Sequence, residues 1–360
     1  MRVAYTLEQC WHRVPGGTAR SMLRLAQAIE ATGAAELVGV VGRHRKPPAP
    51  DCAPTISVRR LPLGRPLLYD AWDRLNWPKI ESATGPIDLC HSTAGIPAAC
   101  ASPHVVTVHD VAFLRRPDRL TRRGARVLTR AIQRARLAEA VVCPSHYVRR
   151  DLIDAGFDEH RVTVVPWGVD IVEVDDAKAA KVMSRHSLPD EFILAVATLE
   201  PRKNLKRLVD AHARVSNPPA LVVAGAPGWG GVAEELHDTA LGVHFLGHVS
   251  ANDLQALYAR AQLLAYPSEE EGFGLPVLEA MAAGTPVMTS RGTATEEAAG
   301  GAAVLVDPAD IESIADGIEQ ALNDRENLVA RGRTRAHERR WSTSGELMID
   351  VYRSIVSRER

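Results

Sequence analysis

The sequence lacks the features of a membrane-spanning or secreted protein. No apolar run in its 360 residues approaches the roughly 18 residues that a membrane-spanning helix needs. The N-terminal run from Met1 to Tyr5 leads straight into an apolar, strand-like segment. It lacks the charged region, the long apolar stretch and the cleavage site of a signal peptide. We therefore expect a cytoplasmic protein.

Cysteine is scarce, and its pattern excludes two common uses. The cysteines are odd in number and form no Cys-x-x-Cys pair; they are Cys10, Cys52, Cys90, Cys100 and Cys143. This scatter is unlike a disulfide framework or a zinc site. No short acidic motif follows an apolar strand in the manner of a metal–diphosphate site. The sequence predicts reduced, buried thiols and no metal.

A strong net charge is also absent, but the charge is unevenly distributed. Residues 1–168 carry 24 Lys and Arg against 15 Asp and Glu, and the remainder carries 19 against 29. The asymmetry suggests an anionic partner for the first half, such as a phosphorylated acceptor or a membrane surface, or else an arbitrary surface charge. Aromatic residues are not interleaved with the basic ones, so nucleic acid is not an expected partner.

Short β-branched runs alternate with amphipathic helical segments along both halves. This pattern is typical of repeated βαβ units, and it predicts an α/β protein with two doubly wound parallel sheets. The predicted strands are Val3–Leu7, Leu37–Val41, Val105–His109, Val141–Pro144, Val162–Val165, Ile193–Ala197, Leu221–Ala224, Val243–Leu246, Leu263–Tyr266, Val287–Thr289 and Val304–Val306. The alternation pauses near Val165–Asp170. We expect domains at 1–168 and 169–335, followed by a C-terminal helix at 336–360 that packs back toward the N-terminal domain.

The most informative segment follows the predicted strand that ends at Tyr266. A loop with Gly272 and Gly274 leads into a short helix that begins near Pro276, and a glycine-flanked helix start offers free N–H groups to a phosphate. Two carboxylates bracket this loop: Glu279 could accept hydrogen bonds from ribose hydroxyls, and Glu271 would lie near a sugar. The alternative is a solvated acidic turn and a surface glutamate.

Arg202 and Lys203 follow the predicted strand Ile193–Ala197, where a helix begins. Guanidinium and ammonium groups there could neutralise a departing diphosphate. The alternative is an exposed basic helix start, which is unfavourable at the positive end of a helix dipole.

In the first half, two strand ends carry residues suited to ligand contact. Gly16 and Gly17 follow the first strand and would let a ligand approach the backbone, although such glycine turns are common. His109 ends a predicted strand and could donate a hydrogen bond to a ligand, with a purely structural histidine as the alternative.

A helical segment from Arg119 to Ala138 is apolar on one side and strongly basic, from Arg119 to Arg136, on the other. It could bind anionic lipid or an acidic acceptor, or it could be a solvated face. Lipid binding would make the protein peripheral on the inner face of the cell membrane.

Taken together, these motifs resemble the retaining glycosyltransferases of family 4 (glycosyl transferases group 1), and in particular its mannosyltransferases. The segments that carry the resemblance are EGFGLPVLEAMAAGTPV at 271–287, LEPRKNLKRLV at 199–209, FLGHVS at 245–250 and AVLVDP at 303–308. The resemblance implies a GT-B fold, in which two Rossmann-like doubly wound domains face a central cleft.

The resemblance also implies roles for individual residues. In the family, the second glutamate of the motif binds the donor ribose, the first contacts the transferred sugar, and the loop between them holds the diphosphate. The catalytic residues carried over are Glu271, His109 and Lys203, and Arg202 is expected to take over from an arginine of the family that this chain lacks. The donor-binding residues carried over are Gly17, Thr198, Gly247, Val249, Gly272, Phe273, Gly274, Leu275 and Glu279. Two positions depart from the pattern: Thr198 stands where many members have arginine, and Trp167 replaces the usual asparagine.

The implied function is retaining, metal-independent transfer of a hexose without a cofactor. The expected donor is GDP-mannose, with UDP- or dTDP-sugars as alternatives, and the acceptor would be a polysaccharide, a lipid-linked glycan or a small metabolite. A non-catalytic nucleotide-sugar-binding subunit of a glycan assembly complex is the competing interpretation. A dehydrogenase is disfavoured because no Gly-x-Gly-x-x-Gly motif follows the first strand.

Overall fold

The computed structural model describes residues 1–12, 15–115, 122–228, 230–232, 236 and 242–357. The chain forms two compact units: Met1–Gly168 with Trp341–Arg360, and Val169–Arg340. The division after Gly168 falls at the residue where the sequence places the domain boundary. Among the described residues, no helix is both long and apolar enough to cross a membrane.

The N-terminal unit is built around a parallel sheet. Its seven described strands are β1 (Arg2–Thr6), β2 (Glu36–Val41), β3 (Val58–Arg60), β4 (Leu89–Ser92), β5 (His104–Thr107), β6 (Ala140–Cys143) and β7 (Val162–Val164). Their order in the sheet is β3-β2-β1-β4-β5-β6-β7. The direction in which the chain adds strands therefore reverses between β1 and β4, and open α/β sheets bind ligands at such a switch point.

The second unit has its own parallel sheet of six described strands: β8 (Phe192–Val196), β9 (Ala220–Ala224), β10 (Val243–Gly247), β11 (Leu263–Tyr266), β12 (Val287–Ser290) and β13 (Val304–Val306). Their order is β10-β9-β8-β11-β12-β13, so the switch point lies between β8 and β11. β8 and β9 are almost wholly buried, as near-continuous apolar strands are when helices cover both faces of the sheet.

Helices connect the strands in both units. In the N-terminal unit they are Gly16–Ala31, Leu67–Leu75, Glu81–Thr84, Ala112–Arg115, Arg122–Ala135, His146–Asp154 and Trp341–Val356. In the second unit they are Asp176–Arg185, Leu205–His212, Ala251–Arg260, Leu275–Ala282, Ala294–Ala299, Ile311–Asn323 and Arg325–Glu338. The predicted pair of doubly wound Rossmann-like sheets is confirmed.

The C-terminal region differs from the single helix expected at 336–360. Helix Arg325–Glu338 ends within the second unit, and a new helix begins at Trp341. The later helix packs on Gly16–Ala31 at Gly345, where an added Cβ would lie 2.7 Å from the Ala28 carbonyl oxygen. Tyr352 further anchors it to the centre of the first sheet through a 2.6 Å hydrogen bond between its hydroxyl and Nδ1 of His91.

Gly225, which follows β9, provides a test of the packing in the second unit. An added Cβ would lie 1.7 Å from the carbonyl oxygen of Ala197, so the backbone must move to accommodate it. We expect Gly225→Ala to lower the free energy of unfolding by about 3 kcal/mol or more, measured by urea denaturation. In the control Gly301→Ala, the new methyl meets open space at φ +82°, and strain of about 1–2 kcal/mol is expected. Equal losses in the two variants would contradict the steric argument.

Candidate active site

Two charged residues meet at the switch point of the second sheet. Lys203 ends a 3₁₀ turn, Pro201–Lys203, that follows β8, and Glu271 lies in the loop after β11. Because β8 and β11 are parallel neighbours, their carboxyl ends open at the same edge. There the Lys203 Nζ donates to the Glu271 Oε1 at 2.5 Å. The sequence predicted both residues for the site, and the structure brings them into contact.

Further donors surround the Glu271 carboxylate. The Tyr266 hydroxyl donates to Oε1 at 2.8 Å, and Arg202 Nη1 donates to Oε2 at 3.1 Å. Lys203 Nζ also donates to the Tyr266 hydroxyl at 2.9 Å. Tyr266 was missed as a site residue, although its position as the last residue of β11 could have indicated it.

Burial and charge act in opposite directions on this cluster. Burial alone would raise the pKa of Glu271, but the positive charges of Lys203 and Arg202 outweigh it and lower the pKa to about 2. Glu271 is therefore a carboxylate at neutral pH, and its side chain is only 9% exposed. The alternative of a solvated acidic turn is wrong for this residue.

Asn204 holds the turn that carries Lys203. It has a left-handed backbone, φ 59°, which asparagine tolerates better than most residues. Its Nδ2 donates to the carbonyl oxygens of Pro267, at 3.0 Å, and Pro308, at 2.7 Å. One buried amide thus ties together the loops that follow β8, β11 and β13.

The loop after Glu271 leads into helix Leu275–Ala282, with Pro276 at its second position. Gly274 precedes the helix with φ +103°, and a Cβ there would lie 2.9 Å from Thr295 Cγ2, so both backbone and space require glycine. Phe273 is buried, whereas Gly272 and Leu275 are half-buried. The helix N-terminus follows directly from this tight turn, as the sequence predicted.

Glu279 lies within the same helix, and its exposed fraction is only 8%. Its Oε2 accepts a 2.9 Å hydrogen bond from the Tyr258 hydroxyl. The alternative of a surface glutamate is therefore wrong, and Tyr258 is a second tyrosine that the sequence did not indicate.

The remaining donor-site predictions of this unit lie at the ends of β8 and β10. Thr198 follows β8, and its carbonyl oxygen accepts from the backbone N–H of Glu200 at 2.7 Å. Gly247 ends β10 with φ +65°, and its carbonyl accepts from Gly225 at 2.8 Å. Val249 lies just before helix Ala251–Arg260. Parallel pairing brings these residues to the same edge as Lys203 and Glu271.

In the N-terminal unit, His109 lies just beyond β5, near the switch point of that sheet. Its Nε2 contacts the carbonyl oxygen of Thr93 at 2.8 Å, and a carbonyl only accepts, so Nε2 carries the proton. Burial lowers the pKa of His109, which favours the neutral ring with Nδ1 as acceptor. The expectation that His109 donates to a ligand is thus corrected. Trp167 packs on it, with ring centroids 5.8 Å apart.

Gly17 is exposed in the first turn of helix Gly16–Ala31, rather than in a loop before it. The helix begins earlier than the apolar pattern indicated because Gly16, at φ +64°, makes the turn into it. Residues 13 and 14, which precede Pro15, lie outside the described residues.

The basic helix ends at Ala135 rather than at Ala138, and its arginines are less free than the sequence suggested. It spans Arg122–Ala135, while Arg119 and its neighbours from 116 to 121 lie outside the described residues. Arg123 pairs with Asp70 at 2.6 Å, and Arg130 pairs with Asp73 at 2.8 Å. Both aspartates belong to helix Leu67–Leu75, so part of the positive charge is neutralised within the unit.

A second buried ionic cluster of the N-terminal unit escaped the sequence analysis. Glu8, just after β1, accepts from the backbone N–H of Gly42 at 2.7 Å. Its other oxygen lies 3.0 Å from Arg65 Nε and 2.9 Å from His44 Nε2. The cluster joins the carboxyl ends of β1, β2 and β3. No local sequence motif predicts it, because its members are far apart in sequence.

Replacing Glu271 by Gln tests the electrostatics of the switch point. The variant leaves Lys203 without its paired carboxylate, whereas Arg202 keeps Glu200, and losing one partner of a buried pair costs about 3–5 kcal/mol. The contribution of Glu271 is present above its ordinary pKa of 4.5 and is lost as the pH falls toward about 2. The stability difference between wild type and variant should therefore shrink between about pH 5 and pH 2, measured by urea unfolding at each pH. Glu270→Gln is the matched control, and a pH-independent difference for Glu271→Gln would contradict the assignment.

Comparison with known proteins agrees with this geometry. The model of Glycosyltransferase Family 4 matches residues 15–173, and that of Glycosyl transferases group 1 matches residues 177–339. The O-antigen chain mannosyltransferase B of Escherichia coli is 31% identical over 269 residues, which cover 70% of this chain and 70% of that protein. The GDP-mannose-dependent alpha-(1-6)-phosphatidylinositol monomannoside mannosyltransferase of Mycobacterium tuberculosis is 29% identical over 57% of each chain.

Among solved structures, that of Anabaena Alr3699/HepE in complex with UDP-glucose is similar in fold. It superposes with a TM-score of 0.77 at 20% identity, over 98% of this chain and 100% of that one. At this identity the likeness concerns the fold alone.

Proposed function

Because this chain belongs to the family 4 GT-B glycosyltransferases and is a hexosyltransferase, we propose that it transfers mannose from GDP-mannose to a glycan acceptor with retention of anomeric configuration. The observation that carries the proposal is the 2.5 Å contact between Lys203 Nζ and Glu271 Oε1. With Arg202, which pairs with both Glu271 and Glu200, it places two cations and two carboxylates at a sheet switch point, where nucleotide ligands bind in open α/β folds.

Each part of the site has a role in holding the donor. The Glu279 carboxylate, oriented by Tyr258, accepts hydrogen bonds from the ribose hydroxyls. The N-terminus of helix Leu275–Ala282 faces the diphosphate with its positive dipole end. Lys203 and Arg202, held by Glu271 and Glu200, add cationic hydrogen-bond donors. These groups neutralise the leaving diphosphate, so the transfer needs no metal ion at that position.

The surroundings of Glu271 favour same-face transfer over a covalent glycosyl-enzyme. Its oxygens accept from Lys203, Tyr266 and Arg202, and a carboxylate held by three donors is a weak nucleophile. The acceptor hydroxyl then attacks on the face that the diphosphate leaves, through an oxocarbenium-like state, and the departing phosphate takes its proton. His109, with Nδ1 as acceptor, suits a hydroxyl donor.

The choice of mannose rests on the relatives. The two curated relatives described above are mannosyltransferases by name, and one is named as dependent on GDP-mannose. The Anabaena structure was solved with UDP-glucose, which keeps UDP-sugars as the second candidate donor. A thermal-shift comparison of GDP with UDP and dTDP, followed by sugar release from the matching donors, distinguishes them.

Substituting the donor-binding residues separates catalysis from binding. Lys203→Met is expected to lower kcat by about 100- to 1,000-fold, because it removes charge that stabilises the leaving group. Glu279→Gln should chiefly raise KM for the donor, by about 10- to 100-fold, because it weakens charge-assisted hydrogen bonds. Initial rates with GDP-mannose and a mannan-type acceptor, with and without EDTA, provide the measurement.

Lys206→Met is the control, because Lys206 lies three residues further on and is exposed. Normal kcat in Lys203→Met, or absence of sugar transfer from every nucleotide-sugar with the wild type, would overturn the proposal; the latter result would favour a binding subunit.

A membrane surface is the proposed second partner. Helix Leu67–Leu75, which pairs with the basic helix through Asp70 and Asp73, exposes Leu75 at 71%, and Leu67 and Trp77 are exposed nearby. Exposed apolar side chains beside arginines suit anionic lipid. The protein would then be peripheral on the cytoplasmic face.

Vesicle flotation tests this partner. The double variant Leu75→Ser/Trp77→Ala should lose more than about tenfold in binding to vesicles rich in phosphatidylglycerol, since both side chains would otherwise be buried in lipid. Leu347→Ser, which changes an exposed leucine elsewhere in the same unit, should bind normally. Failure of the wild type to float with anionic vesicles at low salt would exclude the surface.

A further inference from the structure

Two cysteines and a histidine that are separated in sequence come together in the N-terminal unit. Cys90 lies on β4 and His104 on the adjacent β5, directly opposite in the parallel register. Cys100 belongs to the segment that connects these strands. One ligand atom from each of the three residues lies within 4.8 Å of the others.

The connecting segment folds back onto the strands because of Ser92. Its Oγ accepts from the backbone N–H of Ala98 at 2.9 Å and lies 2.7 Å from His104 Nε2. Ser92 and Cys90 are two residues apart on one strand, so their side chains lie on the same face of the sheet. The histidine ring is thereby oriented on the face that carries the Cys90 thiol.

We propose that Cys90, Cys100 and His104 bind a zinc ion. Two thiolates and an imidazole are the ligand set that Zn²⁺ prefers, and a water molecule commonly completes the tetrahedron. In such a site the ligand atoms are about 3.5–3.8 Å apart, given zinc–sulfur and zinc–nitrogen bonds of about 2.3 and 2.0 Å. The three atoms therefore need to approach by no more than about 1 Å to bind the ion.

The surroundings also suit a cation. Glu81 lies close enough to both thiols to influence them electrostatically. Its Oε1 accepts from the backbone N–H groups of Ala101 and Ser102. Its Oε2 is buried and has no hydrogen-bond partner in the part of the chain that the structure describes. Cys90 is fully buried, whereas Cys100 and His104 are partly exposed, which gives an ion a route in.

With three protein ligands and one open position, the ion would act on the segment that precedes β5. That segment starts at Thr93, whose carbonyl oxygen accepts the His109 hydrogen bond. Zinc would join the segment covalently to β4 and β5 and so fix the carbonyl that orients His109. The sequence predicted no zinc site because the cysteines are scattered, with nine residues between Cys90 and Cys100. The pairing of β4 with β5 is what brings Cys90 close to His104.

Metal content and cobalt spectroscopy test the proposal on the full chain. Protein purified under reducing conditions should take up one equivalent of Zn²⁺ against a competing chelator. With Co²⁺ it should show thiolate charge-transfer bands and the intense visible bands of a tetrahedral site. Zinc should raise the melting temperature, because it binds the folded chain and not an equivalent site in the unfolded one.

Cys100→Ser and His104→Ala should each weaken zinc binding by at least about 100-fold and abolish the tetrahedral cobalt spectrum. Cys100 and His104 are partly exposed, so their variants are expected to fold, which circular dichroism checks. Cys90 is fully buried, and its replacement would disturb the core. Cys52→Ser is the matched control and should bind as the wild type does.

Zinc affinity unchanged in Cys100→Ser, or no tetrahedral cobalt spectrum in the wild type, would overturn the site. A mass two hydrogens below that of the reduced chain, with Cys90 and Cys100 linked in the peptide map of protein purified without reductant and no bound metal, would overturn it in favour of a disulfide. None of these readouts depends on the identity of the sugar donor.

Discussion

The contact between Lys203 and Glu271 is the constraint on which the second unit depends. Bringing an ammonium and a carboxylate out of water is costly, and only good geometry with further hydrogen bonds offsets the cost. Tyr266 and Arg202 supply those bonds, Asn204 fixes the turn that carries the lysine, and Gly274 lets the chain turn into the helix that follows. The parallel order of β8 and β11 is what makes the meeting possible.

Much of this unit could be predicted from its sequence because its strands are continuous apolar runs. Each predicted strand after residue 190 has an observed counterpart. The helix start after Gly274 could also be predicted, because glycine permits the turn and proline suits the first turn of a helix. The N-terminal sheet was harder to predict. β4, with the sequence Leu-Cys-His-Ser, and β3, with Val-Arg-Arg, have too few apolar residues to show a strand pattern, and only their neighbours in the sheet identify them. Missing β4 also hid the proximity of Cys90 and His104.

Partners that are distant in sequence account for the other differences. Tyr258 and Glu279 are joined across 21 residues, a separation that no local motif encodes. The arginines of helix Arg122–Ala135 have a visible charge pattern, but the sequence does not reveal that Asp70 and Asp73 neutralise two of them. Residue types and their spacing along a helix or strand therefore predict what a segment can bind. Tertiary packing decides which of its side chains already form hydrogen bonds or ion pairs within the fold.

The helix Trp341–Val356 belongs to the N-terminal unit, although the whole second unit precedes it in the chain. Topologically, the second unit is an insertion into the first. A ribosome therefore releases all of Val169–Arg340 before it releases the helix that covers Gly16–Ala31 and bonds His91 through Tyr352. During synthesis the unit that is made second can complete its core before helix Gly16–Ala31 of the first unit is covered.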